Sequence, residues 1–260
     1  EVRLAGGAAS AAFGSWLRDF WKYETSPYFA ERLALGQVKR SHLVTLGMKL
    51  KAKGSAAATV NKTLSAATTA LRWAAVNEII PSDPTRGIRG FSGVARKRGI
   101  LEPAEVKALF GAAWADERAR VACLVAATTG TRLGEILALR HMDIGEDRLL
   151  IRHSFSIRDG LKCTKTGEAR SVPLLPAVRT VLLALEGTSK HEANPERFIF
   201  AGRYPGRPLD ANRVLFGMRK ALVAMNGGDW NDKDKRSAIL AEYRERGIDF
   251  HSWRHWFAKI

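Results

Sequence analysis

A chain of 260 residues with 46% hydrophobic residues is long enough to bury one large core or two ordinary ones, so it reads as globular. Its 42 Lys plus Arg against 26 Asp plus Glu leave a net charge of +16, which favours a polyanionic partner; nucleic acid leads, ahead of a ribosomal protein or a peripheral membrane binder. No apolar run approaches the roughly 20 residues that span a bilayer, no signal-peptide pattern is visible in the first residues so a cytosolic protein is expected, and Cys123 and Cys163 lack metal-site spacing and suit a reducing, cytoplasmic setting.

The first 80 or so residues carry helical periodicity and almost no strand signal. Phe13, Trp16, Leu17 and Phe20 mark one helix, with their aromatic rings read as core. Leu43, Leu46 and Leu50 mark another, accompanied by Lys49, Lys51 and Lys53 and stopped by Gly54. From Thr59 to Glu78 an apolar stripe of Val60, Leu64, Ala67, Leu71 and Ala74 predicts an amphipathic helix. Asn61, Lys62, Ser65, Thr69 and Arg72 lie off the stripe, where short polar and basic groups reach phosphates or simply face water.

Residues 81–99 are rich in Pro, Gly and cations and poor in apolar periodicity, which predicts a linker. The division expected is a helical domain over 1–85, a basic linker over 86–99 and a second domain over 100–260. Arg96, Lys97 and Arg98, with Lys62 and Arg72, are the candidate DNA-backbone contacts; basic linkers also serve solubility.

In the second domain Pro103 and Glu105 sit where a helix's first turn favours proline and carboxylates. Helices are expected near 103–115, 117–128 and 133–139. Two short strands, 149–151 and 171–173, flank a polar turn at Lys165-Thr166-Gly167. Helices follow at about 176–186, 210–225 and 235–246, and a last one begins near His251. The fold class is therefore mainly α with a small antiparallel β-sheet in the second domain.

Three separated clusters carry chemistry. In Thr129-Gly130-Thr131-Arg132-Leu133-Gly134-Glu135, a turn at Gly130 delivers Arg132 to a helix start, and Glu135 three residues on holds its guanidinium. In Thr164-Lys165-Thr166-Gly167 a lysine tips a turn between strands. In His251-Ser252-Trp253-Arg254-His255, His251 and Arg254 share one helical face and offer an acid/base group beside a second phosphate fork. Taken singly, these read equally well as a helix cap, a solvated turn and a satisfied helix-start histidine.

Taken jointly, in this order, they resemble the tyrosine recombinase (phage integrase) family, whose catalytic domain carries Thr-Gly-x-Arg-x-x-Glu, a β-hairpin Lys and His-x-x-Arg-His. The resemblance runs from about Phe13 to Ile260, by pattern alone in the first half. It implies a two-domain, C-shaped clamp on duplex DNA, built from a helical core-binding domain and an integrase-like catalytic domain. It implies that Arg132 and Arg254 clamp the scissile phosphate, that Lys165 is general acid to the leaving 5′ oxygen, and that His251 is an acid/base partner with Glu135 supporting Arg132. It implies a double-stranded recombination site as partner, a homo-oligomer from dimer to tetramer on DNA, a cytoplasmic, nucleoid-associated place of work, and no cofactor and no metal.

The family's nucleophilic tyrosine follows His-x-x-Arg by some tens of residues. Tyr23, Tyr28, Tyr204 and Tyr243 all lie upstream, so the nucleophile is expected beyond Ile260, and both chain ends read as cut. The 260 residues are then expected to bind DNA without cutting it. The alternative is a non-catalytic DNA-binding protein that keeps the recombinase fold; a basic RNA-binding protein would give the four site residues no role.

Overall fold

The computed structural model describes residues 34–93, 98–164, 167–186 and 196–259. The helix expected around Phe13–Phe20 lies outside them. The chain divides into two compact units, Glu1–Ala95 and Arg96–Ile260, so the break falls inside the basic linker.

The first unit contains α1 (Arg40–Ala52) and α2 (Ala57–Val76), after a 3-10 turn at Leu35–Gln37. On α1, Leu43, Leu46, Gly47 and Leu50 share the buried face; on α2, Val60, Leu64, Ala67, Leu71 and Ala74 do so, the stripe expected from periodicity. Burying each of the leucines contributes about 1.5–3 kcal/mol, enough for this small core to hold two helices together. Gly54, at φ +82°, supplies the left-handed residue that reverses the chain between them. The segment after α2 is not a free tether along its whole length. Ile88 and Phe91 pack on the α1–α2 core, and Asn61 binds the Phe91 backbone twice, its Oδ1 accepting from Phe91 N at 2.8 Å and its Nδ2 donating to Phe91 O at 2.9 Å. Asn61 is thus committed to structure. Lys62 and Arg72 remain exposed.

The second unit is organised around α4 (Glu117–Thr129), whose Ala119, Val121, Ala122, Cys123, Val125, Ala126 and Ala127 are all buried. A helix apolar nearly all round belongs at the centre of a core. It is surrounded by α5 (Leu133–Leu137), α6 (Pro176–Glu186), α7 (Ala211–Met225) and α9 (Ser252–Lys259), while α3 (Pro103–Gly111) and α8 (Lys233–Glu245) pack on α7. Gly217 permits the close approach of α7 to α4, since a Cβ there would come within 2.4 Å of the Ala119 side chain.

Helix α3 stops at Gly111, short of the expected 115. Trp114 folds back to donate its indole N–H to Leu109 O at 2.9 Å, and Asp116 begins the next helix by accepting from Arg118 N. The two expected strands are β1 (Arg148–Ile151) and β4 (Arg170–Pro173), paired antiparallel with Leu149 opposite Val172, and Leu149 and Ile151 facing the core. Between them lies a second antiparallel pair that the sequence did not disclose, β2 (His153–Ser156) with β3 (Gly160–Cys163). The β3–β4 connection carries Thr164 and Gly167, bonded to each other through the backbone at 2.9 Å. Lys165 itself lies outside the described residues, as do Arg96 and Lys97.

Candidate active site

The loop between α4 and α5 is the centre of the site. Helix α4 ends at Gly130 in the left-handed conformation, φ +64°, which glycine adopts without steric cost. A side chain there would also meet the Phe257 ring of α9, which lies 2.5 Å from where a Cβ would stand. Two residues later Arg132 is the N-cap of α5, and Gly134 lets the start of α5 lie on β2, where a Cβ would come within 2.7 Å of Ser154 Oγ and 2.9 Å of Phe155 O. The spacing Gly-x-Arg-x-Gly-Glu therefore has a steric reason at both glycines.

Arg132 uses one guanidinium nitrogen to anchor itself: Nη1 donates to Glu135 Oε1 at 3.1 Å, while its backbone N donates to Glu135 Oε2 at 3.0 Å. Arg254, from α9, also commits one nitrogen, donating from Nη1 to the Gly130 carbonyl at 2.7 Å. Both guanidiniums are thus fastened to the same loop by a single Nη1, and their remaining N–H donors make no hydrogen bond among the described residues. Each planar cation held this way keeps N–H donors with which it can meet an anion.

Glu135 is 1% exposed, yet it carries two guanidiniums. Arg170 of β4 binds both of its oxygens, Nη1 to Oε1 at 3.1 Å and Nη2 to Oε2 at 2.5 Å. Burial pushes the Glu135 carboxyl up, but the bonds from Arg170, then those from Arg132, outweigh it and hold the group below the usual carboxylate range. It stays ionised.

His251 stands just before α9. Asp249 caps this start, accepting from His251 N at 2.8 Å, while Ser252 Oγ accepts from Asp249 N at 3.1 Å. Burial, reinforced by the Arg98 cation, pushes the His251 imidazole below its ordinary range against the opposing pull of Asp249, so it is neutral at physiological pH and able to take a proton. Arg98 is not a bare backbone contact: its Nη1 lies 3.1 Å from both Asp249 oxygens, with the pair about half exposed. A second brace, Arg246 to Glu105 with both bonds at 2.7 Å, ties the end of α8 to the first turn of α3 just before the His251 segment.

The structure thus gathers Arg132, the N-cap of α5, Glu135 of α5 and Arg254 of α9 around the Gly130 loop, with His251 just before the helix that carries Arg254. Sequence reasoning missed Arg170 and Asp249. No local signal marks Arg170, because the glutamate it binds lies 35 positions away and is buried only by the fold. Among the described residues no group of three or more His, Cys, Asp or Glu side chains is arranged to hold a metal ion, and no helix is long and apolar enough to cross a membrane.

The sequence model of the phage integrase family matches residues 100–260, more than half of the chain. The chain belongs to the phage integrase family. No curated protein sequence matches this integrase-family chain. Among solved structures it is similar to the Tn1549 transposon integrase in complex with transposon right end DNA, at 17% identity and a TM-score of 0.69, covering 98% of this chain and 82% of that one. It is similar also to a lambda integrase dimer bound to a COC′ core site, at 18% identity and a TM-score of 0.68, covering 98% and 81%. A lambda integrase tetramer bound to a Holliday junction matches at 18% identity and a TM-score of 0.59, covering 95% and 72%. At such identities the likeness shows a shared fold, mainly helical with small antiparallel sheets.

Proposed function

We propose that this phage integrase family member is a site-specific DNA recombinase that breaks and rejoins strands through a 3′-phosphotyrosine intermediate. The observation that carries the reading is the pair of guanidiniums, Arg132 and Arg254, each tethered by one nitrogen to the Gly130–Arg132 loop and its helix, with the other donors unbonded among the described residues. Attack on a phosphodiester builds negative charge on the non-bridging oxygens, and two preorganised forks aimed there contribute several kcal/mol of transition-state stabilisation. A tyrosine phenolate forms the new P–O bond, the bond to the 5′ oxygen breaks, and the Lys165 ammonium gives that oxygen its proton. His251, neutral at physiological pH, accepts the phenol proton. The phosphoester bond is conserved for rejoining, so no nucleotide hydrolysis is needed.

Lys62 and Arg72 on α2 and Arg96, Lys97 and Arg98 of the linker are the proposed phosphate contacts outside the site. The partner is a double-stranded recombination site, on which the protein works as a homo-oligomer, dimer to tetramer, at the nucleoid; integrases of this fold that have been solved on DNA as a dimer and as a tetramer support that reading. The 260 residues bind DNA without forming the adduct. Tyr243 is buried, its hydroxyl accepts from Asn226 Nδ2 at 2.9 Å, and burial pushes its phenol up, which makes it a poor nucleophile. Tyr204 sits exposed in the turn between Gly202 and Arg207, and Tyr23 and Tyr28 lie outside the described residues.

Salt titration of duplex binding tests the DNA reading. Each neutralised phosphate contributes about −0.9 to the slope of log affinity against log salt, so several contacts give a steep negative slope. A slope near zero removes the proposal, and an adduct formed by the 260 residues alone makes one of their four tyrosines the nucleophile.

A further inference from the structure

We infer that Arg170 is a positioning residue for Arg132, acting through the buried carboxylate of Glu135, and that it fixes the strand following the Lys165 turn to the helix that presents Arg132. The inference rests on the recombinase reading for what Arg132 contacts, but its geometry stands by itself.

The two arginines divide Glu135 unequally. Arg170 gives both Nη atoms, one to each oxygen, whereas Arg132 gives a single Nη1 and its backbone N–H. Glu135 is 1% exposed and Arg132 39% exposed. If Arg132 were the only cation beside that carboxylate, the strongest available arrangement would be a two-pronged fork–fork pair, and Arg132 would turn inward to make it. Arg170 already occupies both oxygens from the β4 side. What is left for Arg132 is one end-on bond, which holds its guanidinium by an edge and leaves Nε and Nη2 for an anion.

Charge points the same way. Arg132 with Glu135 alone is a neutral pair with little attraction for a phosphate, while two arginines around one carboxylate leave a net positive site. The charged side chains that bond Glu135 among the described residues are Arg132 on its own helix and Arg170 on β4; β2, packed against α5, adds His153 as its one titratable group. Arg170 also belongs to the strand entered directly from the Lys165 turn, whose base is pinned where Thr164 Oγ1 donates to Glu168 O at 2.7 Å. The Arg170–Glu135 bond therefore ties β4 to the arginine-bearing helix.

The 260-residue chain tests this with two readouts: the carboxyl titration of selectively 13C-labelled Glu135, and affinity for a short DNA duplex at fixed salt. With Arg170→Met the Glu135 midpoint should move from below to above the ordinary glutamate value of about 4.3, because burial then prevails. Arg170→Lys, which keeps a cation but not the fork, should fall between the two and covers the case in which Arg170→Met does not fold. Duplex affinity in Arg170→Met should fall to about the same extent as in Arg132→Ala, within roughly tenfold for one phosphate contact among many. In a Glu135→Gln background, where the route through the carboxylate is gone, Arg170→Met should change affinity by less than about twofold. An unmoved midpoint in both Arg170 variants overturns the clamp. An affinity loss that is equal with Glu135 intact and in the Glu135→Gln background overturns the positioning role and makes Arg170 a direct DNA contact. A wild-type chain that binds no duplex overturns the recombinase reading and the phosphate half of this inference, while the titration still decides the clamp.

Discussion

The cations of α2 and those of the α4–α5 loop carry the same charge and are held in opposite ways. Lys62 and Arg72 stand exposed on a helix whose other face is core, and the Arg72 charge acts on the Asp83 carboxylate without a hydrogen bond to it. Arg132 and Arg254 are each fixed by one nitrogen to a loop that glycine geometry, the Phe257 ring and a buried glutamate hold in place. A loose cation gives attraction that is long in range, tolerant of position and sensitive to salt. A tethered one gives aim, which matters only where charge develops at a defined point. The reading proposed above gives binding to the first kind and chemistry to the second.

The largest expected departure from that division concerns Lys165, the cation proposed to move a proton. In a version of the protein extended past residue 260 by a tyrosine-bearing C-terminal segment, Lys165→Ala should slow cleavage by roughly 10² to 10⁴ on an ordinary duplex. A duplex whose bridging 5′ oxygen is sulfur has a leaving group that needs no proton, and on it the variant should largely recover. Sulfur rescue of the arginine variants in place of Lys165 would reverse the assigned roles.

Next in size is Asn61, which lies among the loose cations by sequence but is committed by structure. Asn61→Ala removes both bonds to the Phe91 backbone and should lower unfolding stability by about 1–3 kcal/mol, read from chemical denaturation, with duplex affinity unchanged. Lost affinity with intact stability would return Asn61 to the phosphate contacts.

Asn61 also shows where sequence stops informing. The apolar stripe of α2, the limits of α6 and the three motif clusters are legible because each is local: helical spacing, a capped start, a glycine before an arginine. The pairs Asn61 with Phe91, Glu135 with Arg170, and Arg98 with Asp249 join residues 30, 35 and 151 positions apart, and no periodicity encodes them. The β2–β3 pair escapes for another reason. His-Ser-Phe-Ser is half-buried throughout and Gly-Leu-Lys-Cys is mostly exposed, so neither strand shows the alternation that marks a sheet with one buried face. Helix α3 ends earlier than its composition suggests: Ala112 and Ala113 favour helix, but the chain leaves it after Gly111 and Trp114 folds back to bond Leu109 O.

The smallest expected effect belongs to the linker, where the two kinds of cation meet. Replacing Arg96, Lys97 and Arg98 by Ala should weaken target and random duplexes alike, since backbone contacts carry no sequence. Arg98→Met alone should in addition raise the His251 midpoint, because one of the influences depressing it is gone, while burial keeps it from rising far. The histidine then becomes protonated at a higher pH, so an activity that needs it neutral loses its acid side first. NMR titration of the imidazole checks this, and an unchanged midpoint would mean that burial, not Arg98, holds the His251 imidazole down.

The contrast between loose and tethered cations is tested most directly by measuring covalent protein–DNA adduct and duplex affinity side by side in the tyrosine-bearing version. Arg132→Ala and Arg254→Ala should each abolish the adduct while leaving affinity within about tenfold, because each is one phosphate contact among many but a main source of transition-state stabilisation. Lys62→Ala with Arg72→Ala should do the reverse, making the salt slope shallower by about 2 and leaving the adduct formed per bound duplex unchanged. If the arginine variants lose adduct only in proportion to lost binding, or if the α2 variants abolish adduct on saturated duplex, the division of labour proposed for this integrase is wrong.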